Sequence, residues 1–414
     1  VTVIGRRLVP SDHEVRDYLT RSAQPFEWLD ADTPEAVELL RERGTPDAEL
    51  PVVVDGEEVI AAATPRGLIA AWLHEQVPSQ GCYDIAIVGA GPAGLAAAVY
   101  ASSDGLSTLL LERDLPGGQA SHTSLIENFF GFPEGIGGAE LARMAGRQAE
   151  SFGTELLIGR GVRGHRDEPN GTFTLDLGDG YAVSARAIVA APGMEWRRLD
   201  VEGLDGLRDR GVYYGAGRSE TTQCAGDPVV VIGAGNSAGQ AVMSLAQAGA
   251  RVTMLVRGDS LTKSMSGYLV DRIEAHSSID VRLRTRLTAI DADDVGLTAV
   301  TARSDDGASE RVPARALFLC LGGTPRTAWA EASRVRLDRQ GFILTGPDLL
   351  DEGRRPADWQ LPRDPLALET SVPGIFAAGD VRHGSAKRVA GAVGDGAMAV
   401  ALVHRRLAEL VDGA

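Results

Sequence analysis

The strongest constraint on this chain is a strand, glycine turn and helix pattern that occurs twice. In YDIAIVGAGPAGLAAAVYASSDGLSTLLLER, residues 83–113, a short apolar strand runs into Gly89, Gly91 and Gly94, which fill GxGxxG, and an alanine-rich helix follows. Gly89 permits the tight turn, Gly91 lets the backbone approach a pyrophosphate, and Gly94 allows close packing of helix and strand. The helix start offers free N–H groups and a positive dipole end to the phosphates. A second strand, STLLLE, ends on Glu112, 23 residues after Gly89, where a carboxylate would accept hydrogen bonds from ribose hydroxyls. Strand, helix and spaced acid together mark a dinucleotide site, which the glycines alone would not.

PVVVIGAGNSAGQAVMSLAQAGARVTMLVRG, residues 228–258, repeats the architecture. Gly233, Gly235 and Ala238 make a GxGxxA turn, and Asn236 and Ser237 open the helix after it. The first unit's spacing lands on Val256, with Arg257 next and Lys263 not far beyond. A 2′-phosphate needs a cation and repels an acid, so NADPH is expected over NADH. Two dinucleotide units in one chain bring two dinucleotides together, and the usual pair is a flavin and a nicotinamide.

A length of 414 residues suits two to four domains. The net charge of −16 argues against non-specific binding to nucleic acid or anionic membranes, both of which need a basic face. No apolar run is long enough for a membrane helix and no secretory pattern opens the chain, so a cytoplasmic protein is expected. Val1 leaves room for an initiator or further residues upstream. Cys82, Cys224 and Cys320 form no CxxC and suggest neither a disulfide framework nor a metal site.

Residues 1–77 read as a small α/β unit: strand VTVIGR, helix HEVRDYLTR, strand FEWLDAD, helix PEAVELLRERG, a hairpin around Asp55-Gly56, and helix PRGLIAAWLHE. The order, with Leu50-Pro51 entering the third strand, resembles a thioredoxin/glutaredoxin-type domain. The loop where such domains carry cysteine is read as LVPSDHE, Leu8 to Glu14, and it has none. Thiol exchange needs a thiolate, so this domain is expected to be a vestigial docking or dimer-contact module, or a structural remnant. EQVPSQG, 75–81, reads as a linker.

A third signal, SVPGIFAAGD, is a strand ending in Gly379-Asp380. With IVGAGPAGLAAAVYA, PGGQA (116–120), IENFFGFP (126–133), VIGAGNSAGQAV and LCLGGTPRT (319–327) in this order, the chain resembles the two-dinucleotide flavoprotein reductases, and most closely the small bacterial thioredoxin reductases. The resemblance implies an α/β fold of two Rossmann-like domains and a homodimer. It divides the chain into FAD-binding residues 82–196 and 327–414 around NADPH-binding residues 197–326, with hinges near Gly193–Arg197 and Gly322–Arg326. It also implies that Gly118, Gln119 and Asn128 line FAD and that Asp380 holds its ribityl or pyrophosphate part. A helix start at Lys387, Arg388 and Val389 would stabilise negative charge near flavin N1.

One departure stands out. Such reductases carry CxxC just before the second fingerprint, over the flavin, and here the matching stretch GVYYGAGRSETTQCAGD (211–227) has no cysteine within Gly215–Ser219. Electrons would then pass directly from flavin to a small or diffusible acceptor such as oxygen, a quinone or a metabolite. Glu220, Tyr213, Tyr214, His122 and His383 are candidates to face the flavin, with no acid or base singled out. A ferredoxin/flavodoxin–NADP⁺ reductase would need a basic patch; in VRLRTRL, 281–287, the period-2 spacing puts Arg282, Arg284 and Arg286 on one face of a strand, which is either that patch or a solvated edge. A flavin-bound redox sensor or docking protein is the non-enzymatic alternative.

Overall fold

The computed structural model describes residues 1–7, 9–72, 77–178, 180–330 and 333–412. The N-terminal elements are Thr2–Gly5 (β1), Pro10–Arg21 (α1), Glu27–Asp30 (β2), Pro34–Glu42 (α2), Val52–Asp55 (β3), Glu58–Ile60 (β4) and Pro65–Trp72 (α3). They form one sheet in the order β2-β1-β3-β4, with β1 parallel to β2 and antiparallel to β3. Ile4, Val52 and Val54 from the strands pack on Ala36 and Leu40 of α2. The Leu50–Pro51 bond is cis.

The stretch read as a loop, LVPSDHE, is for the most part the first turns of α1, its Leu8 lying outside the described residues. Pro10 suits a first helical turn, where its fixed φ helps and its missing N–H is not needed. Buried Asp12 then accepts the Arg6 N–H at 2.7 Å and ties the helix start to the end of β1. The closing helix ends, as described, at Trp72; its expected last turn and the start of the linker fall on 73–76, outside the described residues.

The chain continues through Cys82–Val88 (β5), Pro92–Ser103 (α4), Thr108–Glu112 (β6), Gly138–Ser151 (α5), Glu155–Ile158 (β7), Gly164–Asp167 (β8), Phe173–Gly178 (β9), Tyr181–Ala190 (β10) and Met194–Trp196 (β11). Then come Val212–Tyr214 (β12), Arg218–Gln223 (α6), Pro228–Ile232 (β13), Asn236–Gln247 (α7), Arg251–Leu255 (β14), Gly267–Glu274 (α8), Ile279–Arg282 (β15), Thr285–Ala292 (β16), Leu297–Ser304 (β17), Ser309–Pro313 (β18) and Ala316–Leu319 (β19). Gly323–Pro325 (β20), Ile375–Ala377 (β21) and Val389–Asp412 (α9) close the chain.

These elements gather into two compact units, which divide at 195/196 and 322/323. The first unit joins the N-terminal elements to His122–Ile126 and Trp196–Gly322. Its larger sheet is parallel, in the order β12-β19-β13-β14-β15, with β16-β17-β18 as an antiparallel companion. VRLRTRL is not one strand: β15 ends at Arg282, Arg284 turns at φ 52° with its N–H on the Gly258 carbonyl, and β16 begins at Thr285. Arg282 pairs with Asp280 and Glu310, and Arg286 with Asp305, so the expected row is broken at Arg284 and its other two cations face carboxylates.

The second unit holds the sheet β7-β6-β5-β10-β9-β8, with β21 parallel to β10. Residues Gly323–Arg326 belong here because β20 pairs with β11 and the Arg326 N–H donates to the Gly193 carbonyl at 3.0 Å. Helices α4 and α9 approach backbone to backbone: a Cβ on Gly396 would sit 2.1 Å from the Ala93 carbonyl oxygen. Before β21, fully buried Glu369 accepts the Leu366 and Gly374 N–H groups and two bonds from Arg363, which also grips Glu409 of α9. Removing one partner of a buried pair leaves a desolvated charge. Arg363→Met should therefore cost about 3–5 kcal/mol in urea unfolding, and adding Glu369→Gln should recover part of that loss.

Candidate functional site

Both glycine turns form through close backbone approach. Gly89 takes φ 98°, and a Cβ there would lie 2.4 Å from the Ala191 carbonyl oxygen. A Cβ on Gly94 would lie 1.8 Å from the Gly89 carbonyl oxygen, so no other residue fits. Gly91 caps α4, and the space its Cβ would enter is open, which leaves its backbone accessible to a ligand. Glu112 is buried at the end of β6 and accepts N–H groups from Ala90 at 2.7 Å and Asp114 at 2.9 Å. Burial pushes its carboxyl up, and those two N–H groups oppose the shift.

Other expected residues converge on the start of α4. The Gly117 N–H donates to the Ala90 carbonyl at 2.7 Å, and Gly118, at φ 53°, backs onto Gly91. Gln119 donates from Nε2 to the Met194 carbonyl at 3.1 Å. Gly379 stacks against Ala93, and its N–H donates to Asp395 of α9 at 3.1 Å. Asp380 follows in a short 3₁₀ turn; burial raises its carboxyl, and Lys387 opposes. The Lys387 ammonium donates to the Asp380 carbonyl and lies 4.1 Å from the centre of the Phe342 ring, so it braces the turn beneath α9. Arg388 is exposed, Val389 begins α9, and Asn128 is exposed on a turn.

A cavity of about 210 Å³ opens in this unit between Gly89, Glu112, Arg113, Arg160, Arg326 and Trp329, among others. Arg326 Nε and Trp329 Nε1 are buried and meet no hydrogen-bond acceptor among the described residues. Burial, and then Arg113, lower the Arg326 pKa, while Glu112, Glu195 and Asp114 oppose the shift. Unused donors, a buried acid and a glycine cradle at a helix start suit the ribose and phosphates of FAD. Trp329 escaped sequence reading, and Arg326 was read only as part of the 319–327 motif and the end of a hinge; the fold carries both to Glu112.

The second turn repeats the geometry in the first unit. Gly233 has φ 148°, its Cβ position lies 2.4 Å from the Cys320 carbonyl oxygen, and Ala238 packs beneath. Gly235 caps α7, whose first turn holds Asn236 and exposed Ser237. Asn236 Oδ1 accepts the Ser266 N–H at 2.8 Å, and Ser264 donates to the Ala234 carbonyl at 2.8 Å. This strap also went unforeseen. Arg257 is exposed just past β14, whereas Lys263 is tied to Asp259 at 2.7 Å.

The residues proposed to face a flavin have other neighbours. Glu220 and Tyr213 are buried and meet His13 of α1, with ring centroids 5.2 Å apart for His13 and Tyr213. Tyr214 lies under Arg208, His122 packs edge-on against Trp196, and His383 hydrogen-bonds to Asp338 at 2.7 Å. Cys224 and Cys320 are free and buried, and burial pushes both thiols up to about 12. Cys82 is free and exposed. Among the described residues no helix is long and apolar enough to cross a membrane.

Residues 83–396 match the family described as pyridine nucleotide-disulphide oxidoreductase. The thioredoxin reductase of Listeria innocua is 33% identical, covering 79% of this chain and 95% of its own length. That of Bacillus subtilis is 31% identical, over 79% and 96%. Among solved structures, the thioredoxin reductases of T. acidophilum and Lactococcus lactis each superpose with a TM-score of 0.69, at 28% and 29% identity, over 79% of this chain and 99% of theirs. A bacillithiol disulfide reductase from Bacillus cereus, at 19% identity and a TM-score of 0.63, shares the fold.

A charge-assisted hydrogen bond contributes about 1.5–3 kcal/mol. Arg326→Ala should therefore weaken flavin retention by about tenfold or more, read by flavin fluorescence released on dialysis, with the apoprotein's melting temperature unchanged.

Proposed function

Because this chain belongs to the pyridine nucleotide-disulphide oxidoreductase family, we propose that it oxidises NADPH through FAD and passes the electrons directly to a small, diffusible acceptor, with no redox disulfide between. Its cofactors are FAD and NADPH. When bound, FAD would supply two-electron uptake from the reduced nicotinamide and onward release of electrons singly or in pairs. The chain's part is to bind and orient. Glu112, the Gly89–Gly94 turn, Arg326 and Trp329 would hold the FAD adenosine and phosphates, with Gly118, Gln119, Gly379, Asp380 and the start of α9 toward the rest. Gly233, Gly235, Asn236 and Ser237 would hold the nicotinamide dinucleotide, and Arg257 would face its 2′-phosphate.

The observation that carries the reading is the state of the cysteines. A relay needs a thiolate that another sulfur can reach. Cys224 and Cys320 are buried thiols pushed up to about 12, and the sequence supplies only Cys82 besides. Broken at Arg284, with Arg282 and Arg286 each paired to carboxylates, the Arg282–Arg286 stretch lacks the continuous row of cations that a ferredoxin-docking patch would use. The strand order of residues 1–72 and the absence of cysteine there support a thioredoxin-like domain without thiol chemistry. We further infer a homodimer, to be checked by sedimentation.

Two experiments test this. Replacing Cys82, Cys224 and Cys320 by Ala should leave NADPH-driven quinone reduction within about twofold of the parent, while neither protein reduces a thioredoxin disulfide; loss of quinone reduction in a folded triple variant would refute the direct route. Arg257→Glu should raise KM for NADPH about tenfold or more and leave KM for NADH little changed, measured in steady state.

A further inference from the structure

The N-terminal domain has no cysteine, yet one of its helices has a defined partner. Helix α1 packs on α6 within one compact unit, and its buried positions include Asp12, His13 and Arg16. His13 Nε2 stands 3.6 Å from Glu220 Oε1 of α6 and 3.5 Å from Asp209 Oδ1 before β12. Arg7 donates to the Gln223 carbonyl at the end of α6 and pairs with Asp227 at 3.3 Å. Asp17 faces His122 at 3.8 Å. Glu220 Oε1 is buried and meets no hydrogen-bond donor among the described residues, while Oε2 leans over Gly217, where a Cβ would come within 2.5 Å.

We propose that residues 1–72 are an intramolecular plug: α1 occupies the face of α6 beside the second dinucleotide site, so no protein acceptor can dock there and only small acceptors are served. The inference rests on the small-acceptor reading above and names what enforces it. The occupant is this chain's own helix, tied by Arg7 at one end of the contact, with His13 set between Glu220 and Asp209 within it.

The hold depends on charge. Facing Glu220 are His13, Arg16 and Asp17 from α1, Tyr213 from β12, Asp209 from the turn before it, and Cys224 after α6. Burial, then Asp17, pushes the Glu220 carboxyl up to about 7, and burial pushes Asp209 up to about 6. Burial, then Arg16, pulls His13 down to about 4. Raised carboxyls support docking at pH below their ordinary values and lose that support as pH rises through the docked ones. His13 acts oppositely, its support fading as pH falls from 6.5 toward about 4. Above that window only the carboxyls matter, so the plug loosens toward alkaline pH.

Hydrogen exchange on the FAD-loaded full chain tests this, together with the ratio of cytochrome c to benzoquinone reduction. Arg16→Glu adds a negative charge beside Glu220, Asp17 and Asp209, and should speed amide exchange in α6 about tenfold and raise the ratio about fivefold or more. Unchanged exchange, or faster exchange with an unchanged ratio, overturns the plug. Should Arg16→Glu fail to fold, Glu220→Gln decides: α6 should exchange several-fold more slowly than in the parent at about pH 8, with the gap narrowing by about pH 5. Equal exchange at both values overturns the proposal. A parent that reduces no benzoquinone sinks the small-acceptor reading, and exchange alone then judges the docking.

Discussion

Two backbone carbonyls set the terms for the rest of the molecule. The Gly89 oxygen lies 1.8 Å from where a Cβ on Gly94 would stand, and the Cys320 oxygen lies 2.4 Å from where one on Gly233 would stand. At these contacts the helix begins directly off its strand, and its first N–H groups point into the loop's open front. What makes each site follows from that geometry. Glu112 reaches back to the Ala90 N–H because the turn brings Ala90 to the end of β6. Cys320 serves the second turn through its backbone, which accounts for its position without any thiol chemistry.

The parts of the site legible in the sequence were those in which spacing along the chain equals spacing in space. Gly89, Gly91, Gly94 and Glu112 are one strand–helix–strand unit apart, and the pattern of Gly233 to Arg257 is of the same kind. Arg326 and Trp329 are different: they arrive from more than two hundred residues away, and only the pairing of β20 with β11 carries them to Glu112. VRLRTRL misled for the converse reason. Its alternation is a strand pattern, but a long-range bond from Arg284 to Gly258 turns the chain in the middle. LVPSDHE misled because Pro10 reads equally as a loop residue or a helix start, and the bond from Arg6 to Asp12 settles it for the helix.

The contact between α1 and α6 left a faint trace in sequence. Asp12, His13 and Arg16 occupy positions that helical periodicity turns toward the interior, along with Val15 and Leu19. Charged residues on an inward stripe are uncommon unless another ionisable surface meets them. Such a stripe says that a partner exists and gives its chemistry, but it cannot say which segment supplies it. Only the fold identifies Glu220, Asp209 and Tyr213.

The character of that contact matters as much as its place. An apolar interface of similar extent would hold at any pH, since burying hydrocarbon carries no charge term. Here a carboxyl with one oxygen that meets no donor among the described residues sits against an imidazole held neutral by burial, beside two further acids. A buried group left incompletely satisfied weakens the state that buries it. The domain is therefore in contact through groups whose interaction depends on protonation, with Glu220 of α6 as the ionisable joint. The stretch that α1 covers holds one cysteine, Cys224 at the end of α6, and that thiol is buried as well.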